Sequence, residues 1–183
     1  LRFDWAHPAG AAVFRRGEAL WLVFDAPATL DVSKAPRGVS QYRRMEAIKG
    51  RDYAAIRIIS PRTTPVALVG EGSSWTLVLG PGPNKAEQGS VTVERDAESG
   101  EAALTAVLAG ATASIWLDDP AVGDRIAVVT ALSPAKGLSS RRDYVEMAML
   151  PAVHGLAIEP YATDLRVAAE GDLIRIGRPQ GLA

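Results

Sequence analysis

"VFRRGEALWLVF", Val13 to Phe24, decides the fold. Two apolar runs meet at Arg16-Gly17-Glu18. In the second run Leu20, Leu22 and Phe24 alternate with Trp21 and Val23, which is the two-residue period of a β-strand. Gly17 at the hinge supplies the positive φ that a tight hairpin turn needs. "FDAP" then brings in Pro27, which has no N–H to give a ladder and so ends the strand. The stretch reads as strand, tight turn, strand and stop.

The same form recurs. "VALVGEGSSWTLVL" (66–79) and "VAAEGDLIRIGRP" (167–179) each place a Gly beside Glu, Asp or Ser between two alternating runs, and each soon reaches Pro. "IWLDDPAVGDRIAVV" (115–129) is a longer-looped version. Between them lie "AAIRII" (54–59), "SVTVER" (90–95), "ALTAVL" (103–108), "YVEMAML" (144–150) and "GLAIEP" (155–160), all short and bounded by Gly, Pro or Asp. The pattern predicts an all-β fold in which repeated hairpins stack into a sandwich or layered sheets. The chain is long enough to bury a core without staples. It is taken as a single module over 1–183, with candidate halves 1–85 and 86–183 and a candidate boundary in "GPGPNKAEQG" (80–89). Helical signal is weak. "QYRRMEAIKG" (41–50) has Tyr42, Met45 and Ile48 at helical spacing before Gly50, but it fits an edge strand too. Ser139 to Tyr144 is a second short helix candidate.

Composition excludes several functions. The 183 residues carry 20 Lys+Arg against 21 Asp+Glu, a net charge of −1. That balance offers nothing to nucleic-acid phosphates. With no cysteine, disulfides, thiol catalysis and thiolate metal sites are ruled out. No apolar run approaches the ~20 residues that span a bilayer as a helix. The chain opens on Leu-Arg-Phe-Asp and closes on "GRPQGLA", which predicts a fragment of a longer protein.

The residues that carry chemistry do not assemble into a catalytic pattern. The two histidines are His7 and His154, and no G-x-S-x-G elbow is present. Asp118, Asp119 and Asp124 form the best oxygen cluster, yet Pro120 and Gly123 make them ordinary turn residues. Glu71, Glu94, Asp96, Glu98 and Glu101 single out no acid pair. "GPGPNK" (80–85) has glycine but no Lys-Ser/Thr for a phosphate loop. No catalytic residue, metal or cofactor is expected.

The basic pairs Arg15-Arg16, Arg43-Arg44 and Arg141-Arg142 are more suggestive. Guanidinium forks bind carboxylates in two-point fashion, so pairs meeting at one sheet edge would form an anionic-ligand surface. Arg15, Arg16, Arg43 and Arg44, with Trp21 beside them, are the expected ligand contacts. The competing reading makes the arginines guards of exposed edges. Trp5, Trp21, Trp75 and Trp116 are read either as core anchors or as a sugar-stacking platform, with Trp21 and Trp75 at similar places in two repeats.

"AAVFRRGEALWLVFDAPATLDV" and "YAAIRIISPRTTPVALVGEGSSWTLVL" resemble β-rich modules of AMIN type, in which strand–R-x-G–strand hairpins build a small sandwich. "YVEMAMLPAVHGLAIEPYATDLRVAAEGDLIRIGRPQGLA" resembles the segment before the repeats in tetratricopeptide-repeat proteins of alphaproteobacteria. The resemblance covers residues 2–80 and 144–183, and the chain is about twice the length of one such module. It implies a periplasmic or cell-envelope location and a non-catalytic binding or scaffolding role. The implied partner is an envelope protein or peptidoglycan. The alternatives are a glycan-active hydrolase or lyase on a β-scaffold, and a carbohydrate-binding module.

Overall fold

The computed structural model describes residues 1–82, 89–97 and 101–183. Most of the candidate boundary at 80–89, the end of "GPGPNK" and Glu98 lie outside these residues. The described residues are all-β. The first part of the chain forms β1 (Arg2–Asp4), β2 (Ala11–Arg16), β3 (Ala19–Phe24), β4 (Arg44–Lys49), β5 (Ala54–Ile59), β6 (Val66–Glu71) and β7 (Ser74–Leu79). Then come β8 (Gly89–Ser90), β9 (Thr92–Asp96), β10 (Ala103–Val107), β11 (Ala111–Asp119), β12 (Asp124–Ala131) and β13 (Lys136–Gly137). The last part forms β14 (Arg142–Asp143), β15 (Met147–Met149), β16 (Ala152–His154), β17 (Leu156–Pro160), β18 (Arg166–Glu170) and β19 (Leu173–Gly177).

The three quoted hairpins are β2–β3, β6–β7 and β18–β19. Each closes with two residues, the first a glycine: Gly17 at φ 62°, Gly72 at 61° and Gly171 at 60°. Glycine at that first position is the type II′ placement, whose twist matches the flanking strands.

A ten-stranded sheet forms the centre. Its path runs β14-β15-β17-β12-β2-β3-β5-β4, with β11 beside β12 and β16 beside β2. One face lines the innermost cluster, where Phe14, Trp21 and Val23 meet Ile115, Leu117, Ile126 and Val128. The opposite face is covered in two places. The sheet β1-β7-β6 packs Leu68, Trp75 and Leu77 onto Val13, Leu20, Leu22 and Ile58. The sheet β18-β19-β10-β9 packs Leu104, Ala106, Ile174 and Ile176 onto Ala127, Val129, Met149 and Ile158. The expected alternation in β3 therefore holds, with Leu20, Leu22 and Phe24 in one cluster and Trp21 and Val23 in another. Burial on both faces is why β3 is apolar throughout.

Four expectations can be set against this topology. The central sheet takes β2 to β5 from the first half of the chain and β11, β12 and β14 to β17 from the second, so a cut at 85/86 would divide one sheet. Of the two readings of residues 41–50 the edge strand holds: they contain β4, and Tyr42, Met45 and Ile48 do not share a helical face. The weak helix candidate at 139–144 is not helical: only Arg142–Asp143 within it form a short strand, β14. "YVEMAML" is not one strand either. It follows β14 through a turn in which the Tyr144 N–H donates to the Met147 carbonyl at 2.9 Å, and then forms β15.

Candidate functional site: a closed charge network and an open arginine face

Arg15 and Arg16 are neighbours on β2, so they project to opposite faces. Arg15 donates to the Ser60 carbonyl at 3.2 Å and the Thr64 carbonyl at 3.1 Å, tying down the β5–β6 connection. Arg16 enters a cluster of acids. Its Nη1 lies 2.8 Å from Asp119 and 2.7 Å from Asp124, its Nη2 2.5 Å from Asp124, and its Nε 2.9 Å from Glu159. Asp119 and Asp124 are cross-strand partners on β11 and β12, and like charges placed so repel. The guanidinium between them removes that repulsion. Its hydrogen bond to Asp124 raises the pKa of Arg16 and holds the Asp124 carboxyl below the usual carboxylate range.

Arg141 reaches the other oxygen of Glu159 at 3.4 Å and the Tyr161 hydroxyl at 2.7 Å. Two of the three basic pairs thus do come together, but on a carboxylate of the chain itself. Arg43 pairs with Glu18, and Arg44 lies 3.1 Å from Glu46. The four arginines expected to contact a ligand are all engaged internally. Arg15 and Arg16 are split between two faces because adjacent strand residues point apart.

Trp21 cannot serve as the expected contact: it is fully buried and stacks on Phe14 with ring centroids 6.3 Å apart. Nor does it pair with Trp75 in a platform. Trp21 is the fourth residue after its turn glycine and Trp75 the third after its own, so they face opposite ways and lie in different clusters. The Trp75 Nε1–H donates to the Ala9 carbonyl at 2.8 Å. Trp5 and Trp116 are half-buried, and Arg125 covers the Trp116 ring at 5.1 Å.

His154 is likewise committed to the core. Its Nε2 bonds to the Ala131 carbonyl at 2.8 Å and its Nδ1 accepts the Lys136 N–H at 3.2 Å. That pair of bonds requires the neutral ring with its proton on Nε2. Burial agrees, pushing its pKa down to about 4.

One surface left open among the described residues lies on the third hairpin. Strands β18 and β19 alternate cleanly: Val167, Ala169, Ile174 and Ile176 face the core, and Arg166, Ala168, Glu170, Leu173, Arg175 and Gly177 face outward. β10 and β9 continue the outer face with Thr105, Val107, Glu94 and Thr92. At one end is a notch of about 210 Å³. Ala103, Ala168 and Gly177 form its floor, and Arg166, Arg175 and Arg178 stand around it with Glu101. At the other end Val107 and Leu173 are direct cross-strand partners and both exposed.

The arginines of the notch differ in their ties. Arg178 grips Asp164 through Nε at 2.7 Å and Nη2 at 3.2 Å, and lies 3.6 Å from Glu146. Arg178 and, less strongly, Arg166 hold the Asp164 carboxyl below its usual range. Arg175 lies 2.7 Å from Asp96. Arg166 makes no hydrogen bond or ion pair among the described residues. These arginines are scattered at 166, 175 and 178, so no local motif marks them. The alternation in "LRVAAE" and "LIRIG" did signal that Arg166 and Arg175 share an outward row with Ala168 and Gly177. That Ala103 adjoins them depends on the β10–β19 pairing.

No family model matches the chain, and neither curated proteins nor solved structures give a significant match.

Proposed function

We propose that the chain is a non-catalytic binding or scaffolding module of a bacterial cell-envelope protein, engaging an envelope protein or cell-wall glycan. The contact surface in this reading is the outer face of β18-β19-β10-β9. The observation that carries the reading is that this sheet buries one face in the core and presents the other, with arginines at one end and an apolar pair at the other, to solvent. Of the residues that first suggested a site, by contrast, Arg16 is enclosed by acids and Trp21 is fully buried, while Arg43 and Arg44 form exposed ion pairs within the chain. Among the described residues no helix is long and apolar enough to cross a membrane.

Photo-crosslinking tests the assignment. A crosslinking residue is placed at Thr105, in the middle of the face, and another at Glu46, on the edge strand β4, in the chain exported to a bacterial periplasm. A defined adduct with an envelope protein or with sacculi from position 105, and not from 46, is the expected result. No adduct from 105, or equal adducts from both positions, would overturn the reading.

A further inference from the structure

We infer that the notch beside Gly177 is a subsite for a single carboxylate, carried at the end of a short extended peptide. The inference rests on the outer face being the binding face, and it names the chemistry that one end of that face selects.

The floor of the notch is made by absence of side chain. Arg166 stands directly across from Gly177, and Ala168 directly across from Arg175. Arg166 and Arg175 are therefore diagonal neighbours on one face, about 7–8 Å apart at that spacing. Gly177 and Ala168 leave the space between them unfilled. A guanidinium presents a planar fork of donors that matches a carboxylate. Arg166 has its whole fork uncommitted among the described residues. Arg178 is held in place by Asp164 and so forms a fixed positive wall rather than a mobile one.

Local charge chooses between anions. Glu101 lines the notch, and Asp96 and Asp164 sit on two of its arginines. A monoanion meets less repulsion there than a phosphate carrying nearly two charges. The remainder of the face favours a peptide over an acidic sugar. Leu173 and Val107 lie four residues along the strands from Gly177 and Ala103, roughly 13 Å at ~3.3 Å per residue. An extended peptide with its terminal carboxylate in the notch would place an apolar side chain on that pair.

The probes are N-acetyl-Leu-Ala-Ala-Ala with a free C-terminus, the same peptide as its C-terminal amide, inorganic phosphate and glucuronate. Each is titrated into the ¹⁵N-labelled full chain, with amide shifts followed by NMR. The free acid is expected to give saturable shifts at Ala103, Ala168 and Gly177 and, at the far end, Leu173. The amide, phosphate and glucuronate are each expected to bind at least about fivefold more weakly. Arg166→Gln, at an exposed position, should weaken the free acid by a similar factor. Gly177→Leu should abolish the response. A Cβ at that position meets nothing nearer than Ala103 Cβ at 3.6 Å, an ordinary contact, and a circular dichroism melt of the variant checks that the fold is kept. Binding of the amide as tight as the acid, tighter binding of phosphate or glucuronate, no saturable response to the acid, or insensitivity to Arg166→Gln would overturn the inference. A positive crosslink at Thr105 with a silent notch would sink the subsite and leave the binding face standing.

Discussion

The hairpins β2–β3 and β18–β19 are built alike and end differently. Superposed on their turn glycines, Leu20 and Leu22 correspond to Ile174 and Ile176, and all four are buried. On the other face Ala19, Trp21 and Val23 correspond to Leu173, Arg175 and Gly177. The first set packs into the innermost cluster against Ile115, Leu117, Ile126 and Val128. The second set faces water. The residue before the turn differs in the same sense: Arg16 is enclosed by three carboxylates, and Glu170 is exposed. One local unit thus serves as a two-sided core strand pair or as a one-sided display surface. What differs is whether a second layer covers it.

The most forceful way to break this comparison is to exchange its diagnostic residues. Trp21→Arg would place an unpaired charge in a fully buried site, and we expect no cooperative unfolding transition by circular dichroism. Arg175→Trp should shift stability by no more than about 1 kcal/mol, since an ion pair of that exposure contributes little. Comparable losses for the two would show that β18–β19 is as enclosed as β2–β3.

Next in size is the charge network. Arg16→Ala strands the buried Asp119 along with Asp124 and Glu159, and should cost roughly 3–5 kcal/mol in urea denaturation. Glu170→Ala, the matching position, should stay within about 0.5 kcal/mol. The network also has a pH signature. The folded-state pKa of Asp124 is depressed, so its contribution is present above the unfolded value and is lost as pH falls through the folded one. The Arg16→Ala protein should therefore show a shallower acid limb.

His154 gives an earlier, separable step. Its pKa falls from 6.5 to about 4 on folding. The unfolded chain thus binds the extra proton throughout that window, and stability rises with pH across it. A loss of about 3 kcal/mol is expected on going from pH 7 to pH 4, by the conversion of ~1.4 kcal/mol per unit. Urea midpoints of His154→Gln should lack this slope. A wild-type stability flat between pH 4 and 6.5 would mean that His154 is not held neutral.

The smallest effect tests what the hairpins share. Gly17→Ala and Gly171→Ala each force an alanine to φ near +60°. An added Cβ meets only Arg62 Nη2 at 3.6 Å in the first and nothing within 4 Å in the second. Both should cost at least about 1–2 kcal/mol, because an L-residue is strained at positive φ, and by the same amount. A large difference would mean that context reaches even into the turn.

Much of this architecture was legible in the chain. The alternation of β3, β5, β7, β18 and β19 and the turn glycines are local signals, because strand period and positive φ are properties of a few consecutive residues. Short strands were less visible. β16 lies between Pro151 and Gly155 and pairs with β2 through a register shift, which leaves no alternating pattern. The site was harder still. Arg15 and Arg16 looked like one basic tip, yet they diverge by the pleat, and the acids that enclose Arg16 lie more than a hundred residues away at 119, 124 and 159.

The sequence by itself determined that this protein is built of hairpins, where they turn, and which of their faces is apolar. Those are nearest-neighbour properties of the backbone and side chains. Only the tertiary structure decided which hairpin would be covered twice and which once. Covering depends on which distant strands pair, and hydrogen-bonded ladders can join any two strands of suitable register. That choice turned the doubly basic hairpin into a buried lock and left Arg166 and Arg175 on the open face.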